Sequence, residues 1–211
     1  RVEIILNKDI CNYDQIENDF KNVDTVIHLA GIVSFSLKDK NLLKKVNVDG
    51  TKNIIKAINE KNVPNLIHIS SVAALGYNDD KNNSINETFQ FNWKIATSKK
   101  KYYMLTKHLA DVAIKEEIKS NALILYPGLM FGPGDVSNSA RLINAIKKRK
   151  IPFNMPGGTN IIDVRDVSRG IVETIKNKIT NDHCLLSGTN MQFNQVNEII
   201  ASQLLVRPPK Y

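Results

Sequence analysis

The sequence predicts an α/β fold built on a parallel sheet, and two observations carry that prediction. Short β-branched runs alternate with longer helical patterns along the 211 residues, and Gly or Pro punctuates the ends of the runs. Val2 to Leu6 reads as a first strand, followed by a short helix near Tyr13 to Phe20. Thr25 to Ala30 reads as the next strand and stops at Gly31. A long helical stretch, roughly Lys40 to Asn59, carries Leu42, Leu43, Val46, Ile54, Ile55 and Ile58 and is ended by Pro64. Asn65 to Ser70 is a third strand, then a polar loop spans Asn78 to Asn86. A second long helix is expected from about Ser98 to Lys119, and Ala122 to Tyr126 is a fourth strand, broken by Pro127 and by the turn-rich Phe131 to Asp135. Beyond it the elements shorten: helices near Ala140 to Arg149, Asp166 to Lys176 and Asn194 to Leu204, and strand-like Asn160 to Asp163 and Cys184 to Leu186. That shortening suggests a small cap packed over the carboxyl edge of the sheet.

Composition narrows the function classes. Apolar residues at 42% and charged residues at 24% exclude general disorder and a collagen-like fibre. Lys plus Arg number 29 against 21 Asp plus Glu, a net +8, yet the runs Lys99 to Lys101 and Lys147 to Lys150 lack interleaved stacking aromatics. A solvated basic surface is expected, and no nucleic-acid partner. Cys11 and Cys184 make neither a disulfide framework nor a metal knuckle, so no metal and a reducing, cytoplasmic setting are expected. No apolar run approaches the roughly 20 residues that span a bilayer, and no membrane partner is expected.

Ligands of an open parallel sheet bind outside the carboxyl ends of its strands. The residues just after the strands are therefore the ones to search: His28 to Gly31, Ser70 to Ala74, and Tyr126 to Gly128. Between the last two lies Tyr103 to Lys107, a YxxxK whose spacing puts both side chains on one helical face. A tyrosine pKa near ~10 is too high for ready proton exchange, and a nearby ammonium lowers it. Ser71 could hold a carbonyl or alcohol oxygen beside the phenol. His28 reads as a core histidine. Asp163 and Asp166 read as caps or braces pairing with Arg165 or Arg169, and Gly157-Gly158 as a turn. Phe91 and Trp93 could line a substrate mouth or anchor their loop.

The order of motifs resembles the extended short-chain dehydrogenase/reductase superfamily, the NAD-dependent epimerase/dehydratase group, and most of all its dihydroflavonol-reductase-like branch. The matching runs are Val23 to Gly31, Val46 to Ala57, Ile69 to Gly76, Tyr102 to Asp111, Tyr126 to Asp135 and Ile161 to Ile171. The resemblance implies a Rossmann-like, doubly wound parallel sheet with a small C-terminal α/β substrate cap, residues 1–136 forming the NAD(P)-binding and catalytic part and 137–211 mainly the cap. It implies that Ser71 orients the substrate, with Ser70 the near alternative. Tyr103 would protonate the carbonyl oxygen, and Lys107 would tune Tyr103 and hold the nicotinamide ribose. Asp9 and Ile10 match the adenine contact, Leu29, Ala30 and Gly31 the strand end against the cofactor, Pro127 the nicotinamide side, and Asn47 a supporting asparagine. Tyr102, about 100° around the helix, reads as structural.

The resemblance also exposes a gap. The Gly-rich turn that meets the pyrophosphate is absent, and the chain opens where the family's third strand would stand. The first βαβ unit is missing from the sequence, Arg207 to Tyr211 reads as an inter-element stretch, and a fragment of a longer protein is expected. With that unit goes the residue that separates NAD from NADP, so either cofactor fits. The residues and the resemblance lead to an NAD(P)-dependent oxidoreductase reducing a small-molecule ketone or aldehyde, with a homodimer among the assemblies allowed. The apolar Leu129 and the Tyr126 beside it, where sugar-nucleotide epimerases commonly carry asparagine and arginine, favour this over an epimerase or dehydratase. A non-catalytic binding module is the third alternative.

Overall fold

The computed structural model describes residues 3–78, 80 and 84–210. The first helix, α1 (Tyr13–Ile16), tightens into a 3-10 turn at Glu17–Phe20, and Ile16 and Phe20, one turn apart, are both buried. Strand β1 (Thr25–His28) follows. A continuous helical run then begins with a turn at Leu37–Asp39 and passes through α2 (Lys40–Leu43), a π-helical stretch at Lys44–Gly50, and α3 (Thr51–Lys61). It stops at Asn62, whose left-handed conformation (φ 55°) closes the helix two residues before Pro64. Strand β2 (Asn65–Ile69), a 3-10 turn (Val72–Leu75), α4 (Trp93–Ser98), α5 (Tyr102–Glu117) and β3 (Asn121–Pro127) come next.

Strands β1, β2 and β3 pair in parallel, with His28 opposite His68 and Ile69 opposite Leu125. This register lines up their carboxyl ends, so the segments after His28, Ile69 and Leu125 emerge along one edge. Strand β6 (Asp182–Leu186) completes the sheet in the order β1-β2-β3-β6. The core on one face joins Ile54, Ile55, Ala57 and Ile58 of α3, Ala113 and Ile114 of α5, and Leu66, Ile124 and Tyr126 of the strands. Each leucine or isoleucine among them contributes about 1.5–3 kcal/mol by leaving water.

The chain divides into two compact units, one running up to Tyr126 and including Thr174–Leu185, the other Pro127–Glu173 together with the residues from Leu186. In the second unit, β4 (Leu129–Phe131) pairs in parallel with β5 (Gly158–Asp163), which pairs antiparallel with β7 (Thr189–Gln192). Helix α6 (Ser139–Lys147) is started by Asp135, whose carboxylate accepts from the amides of Ser139 and Ala140. Helix α7 (Val164–Lys176) leaves this unit, and α8 (Phe193–Gln203) opens on a capping box of Gln192 and Gln195. Gly157 (φ +99°) makes the turn into β5, and a Cβ on Gly158 would stand 2.4 Å from the Met191 carbonyl, so the glycine pair serves a turn and close strand packing.

Three expectations are corrected. Residues 3–6 of the expected first strand are not in a strand, and Ile4 and Leu6 are 78% and 73% exposed; Val2 lies outside the described residues. A β-branched run becomes a strand only by pairing, and these residues pair with none among those described. The long helix expected from Ser98 starts at Tyr102, after the separate α4. Strands β4 and β7 were not anticipated.

Candidate active site

The site is built at the carboxyl ends of β1 and β2 and on the first turns of α5. Ser71, two residues past β2, is the N-cap of the Val72–Leu75 turn, its hydroxyl oxygen accepting from the Ala73 amide at 3.2 Å. That leaves its proton free to donate. Tyr103 lies in the first turn of α5, and Ser71 is near enough to its phenol to favour the ionised form. Lys107, one turn on, is buried at 6% exposure and donates to the Ile69 carbonyl at 3.1 Å. The three residues expected to carry the chemistry are thus brought together. Ser70 turns away: its hydroxyl donates to Asp111 at 2.9 Å in the interior.

Burial dominates the electrostatics. It pushes the Tyr103 phenol above its ordinary value, and Ser71 works in the opposite direction. Burial also pushes the Lys107 ammonium down, with Asp111 opposing. The lowering of Tyr103 by Lys107 expected from the YxxxK spacing is not present. Lys107 spends one N–H on the Ile69 carbonyl and is not among the groups that move the phenol.

Asn47 braces the loop after β1. Buried in the π-helical stretch, it accepts from the Ile32 amide (2.9 Å), donates to the Ile32 carbonyl (3.1 Å) and donates to Thr106 Oγ1 on α5 (3.3 Å). π-Helical insertions of this kind recur at functional sites. Leu29, Ala30 and Gly31 form an exposed ledge, and a Cβ on Gly31 would come within 3.3 Å of Asn47 Oδ1. Asp9 is exposed, its carboxyl held below the usual range by the Cys11 amide. Ile10, half-buried, packs against Gly50, and its carbonyl accepts from Asn53. Pro127 is buried at the end of β3, at the start of the second unit.

The donor set suits a nicotinamide ribose. Lys107 has two further N–H directions beyond the Ile69 carbonyl, Tyr103 presents a phenol, and the Leu29–Gly31 ledge is open to a planar group.

Sequence reasoning missed Phe35. Its ring meets Tyr103 edge-on at 5.9 Å, and the residue is 85% exposed. Its loop is pinned by Ser34 donating to Asp39 (2.6 Å) and by Ser36 capping the next turn. Leu29 and Val33, on the same segment, are also exposed. The only signal in the sequence was an aromatic between small residues just after a strand. Phe91 and Trp93, by contrast, anchor their loop: Phe91 stacks on His108 at 3.8 Å, and Trp93 meets both rings edge-on. His28 is a satisfied core histidine, bonded to Thr51 at 2.9 Å. Asp163 pairs with Arg165 and Asp166 with Arg169.

A Rossmann-like sheet with a Ser-Tyr-Lys cluster at its carboxyl edge defines a member of the extended short-chain dehydrogenase/reductase superfamily. The chain belongs to the 3-beta hydroxysteroid dehydrogenase/isomerase family, which it matches over residues 1–176. It is 32% identical over 167 residues to the bovine (Bos taurus) sterol-4-alpha-carboxylate 3-dehydrogenase, decarboxylating, covering 77% of this chain and 45% of that protein. It is 29% identical over 185 residues to the N-acetyl-alpha-D-glucosaminyl-diphospho-ditrans,octacis-undecaprenol 4-epimerase of Escherichia coli O157:H7, covering 85% and 52%. The crystal structure of gox2253 superposes with a TM-score of 0.82 at 26% identity, over 96% of this chain and 62% of that one. The chain spans about half the length of these curated relatives.

Proposed function

We propose that the protein is an NAD(P)-dependent oxidoreductase that reduces a ketone or aldehyde to an alcohol, with Tyr103 as general acid. The observation that carries this reading is the convergence of Ser71 and the Tyr103 phenol, with the buried Lys107 ammonium one helical turn on, held by the Ile69 carbonyl. The bound nicotinamide supplies the hydride. Ser71 donates its free proton to the carbonyl oxygen and holds it against the phenol, and Tyr103 gives that oxygen its proton as negative charge develops. Lys107 has two remaining N–H bonds with which it would hold the hydroxyls of a nicotinamide ribose. Asp9 and Ile10 would meet the adenine, Leu29, Ala30 and Gly31 the cofactor's flank, and Pro127 the nicotinamide side.

The exposed Leu29, Val33 and Phe35 on the segment facing Tyr103 suit an apolar carbonyl substrate. A sugar-nucleotide epimerase is the second reading, favoured by the Escherichia coli relative. Oxidation of NADH and NADPH by the purified protein should be followed with a 3-ketosteroid, a dihydroflavonol and a UDP-hexose. Stoichiometric consumption of reduced cofactor with one of the apolar carbonyls is expected. Interconversion of the sugar nucleotide without net cofactor consumption would overturn the reductase reading in favour of the epimerase.

A further inference from the structure

Behind the Ser71–Tyr103–Lys107 cluster lies a buried polar group that this chemistry does not use. Asp111 follows Lys107 by four residues, on the same face of α5, and is 3% exposed. One carboxylate oxygen accepts from Ser70 at 2.9 Å. The other has no hydrogen-bond partner; the nearest basic atom is His68 Nε2 at 3.5 Å. His68 is itself fully buried, and neither of its ring nitrogens has a hydrogen-bond partner. A buried carboxylate left half-satisfied is costly and calls for a counter-charge. The groups that face Asp111 are Lys107, His108 and Lys115 from its own helix, His68 from β2 with His28 behind it, and Tyr126 from β3. Burial keeps both His28 and His68 neutral. Tyr126 holds its proton, because burial opposes its ionisation first and Asp111 beside it second. Lys107 is the buried cation of the set, and Asp111 is the one group that favours its charged form. A cavity of about 70 Å3, lined by Glu87, His108, Lys115 and Tyr126 among others, borders Asp111.

We propose that Asp111 is a positioning residue of the active site: tethered by Ser70, the residue after the Ile69 whose carbonyl holds Lys107, its carboxylate acts across the space between them to keep the Lys107 ammonium cationic. Ser70 and Ser71 then have separate tasks. Ser71 faces the substrate, and Ser70 holds the carboxylate that supports the charge on the lysine. The inference deepens the reductase reading and rests on it only for the catalytic use of Lys107.

The test is a pH titration of the Lys107 13Cε and 15Nζ resonances in the intact chain, assigned by their loss in Lys107→Met. In the wild-type protein these resonances should move in a step centred near 6, where Asp111 takes up its proton. In Asp111→Asn that step should vanish, and the acid constant of the ammonium should rise about tenfold or more. Asp111→Glu should restore the step, which a role in packing alone would not do. No wild-type step near 6, or an unchanged Lys107 titration in Asp111→Asn, overturns the proposal. Should Asp111→Asn fail to fold, the wild-type titration decides alone. With turnover in hand, the alkaline limb of kcat should move to lower pH in Asp111→Asn. The resonance titration needs no substrate, so failure of the reductase reading leaves its outcome intact, and a missing step leaves the reductase reading standing.

Discussion

Ser71 and Phe35 divide the residue-scale work beside Tyr103. In the proposed mechanism Ser71→Ala removes the donor to the substrate oxygen, so kcat should fall about 10²-fold or more with KM little changed. Phe35→Ala removes an edge-to-face ring and an exposed apolar wall. It should raise KM for an apolar carbonyl about fivefold, an effect of about 1 kcal/mol, with a smaller change in kcat. Steady-state kinetics separate the two, and a Phe35→Ala variant whose KM is unchanged would remove Phe35 from the substrate wall. The grouping of Ser71, Tyr103 and Lys107 was legible in the sequence because it has a pattern: a serine just past a strand and a YxxxK on one helical face. Phe35 was not legible, because an exposed aromatic in a loop leaves no periodic trace. Asp111 stood within a recognised motif, four residues past Lys107, yet its burial and its tie to Ser70 are facts of packing that no spacing shows.

The elements that hold these residues depend on single polar anchors. Asn47 makes three hydrogen bonds that join the loop after β1 to α5, and it sits in a π-helical stretch. Asn47→Ala leaves the Ile32 amide and carbonyl without that partner and should cost about 2–3 kcal/mol, read as a lower denaturant midpoint. A loss below about 0.5 kcal/mol would mean that water replaces the side chain there. The sequence placed this helical run correctly, since its apolar positions recur every three to four residues, but a π-helical insertion keeps the apolar stripe and so hides within it. Residues 3–6 failed in the other direction: their composition is that of a strand, and strand formation needs a neighbour. Strand β7, Thr189–Gln192, carries no alternating apolar pattern and exists through its pairing with β5.

Across the whole molecule, buried ionisable groups tie stability to pH. His28 and His68 are held neutral by burial, well below the imidazole range. Each therefore binds a proton on unfolding once the pH drops below about 6.5, and stability is lost as pH falls. Asp111 has the opposite sign. Its folded pKa, raised by burial from 3.8 to about 6, lets the native state keep a proton that the unfolded chain releases, so its contribution is lost as pH rises through that window. It offsets one of the two histidine protons. In Asp111→Asn the loss of stability on acidification between about 6 and 4 should steepen by about 1.4 kcal/mol per pH unit relative to wild type. Denaturant melts of the two proteins across that range give the difference directly, and parallel curves would show that Asp111 is ionised throughout.

Tyr103 as the proton donor is the central claim, and turnover of Tyr103→Phe tests it most directly. Carbonyl-dependent oxidation of NADH or NADPH should fall by about 10³-fold or more, while fluorescence titration with the reduced cofactor gives a Kd within about threefold of wild type. Wild-type turnover in a variant that has lost the phenol would contradict the assignment.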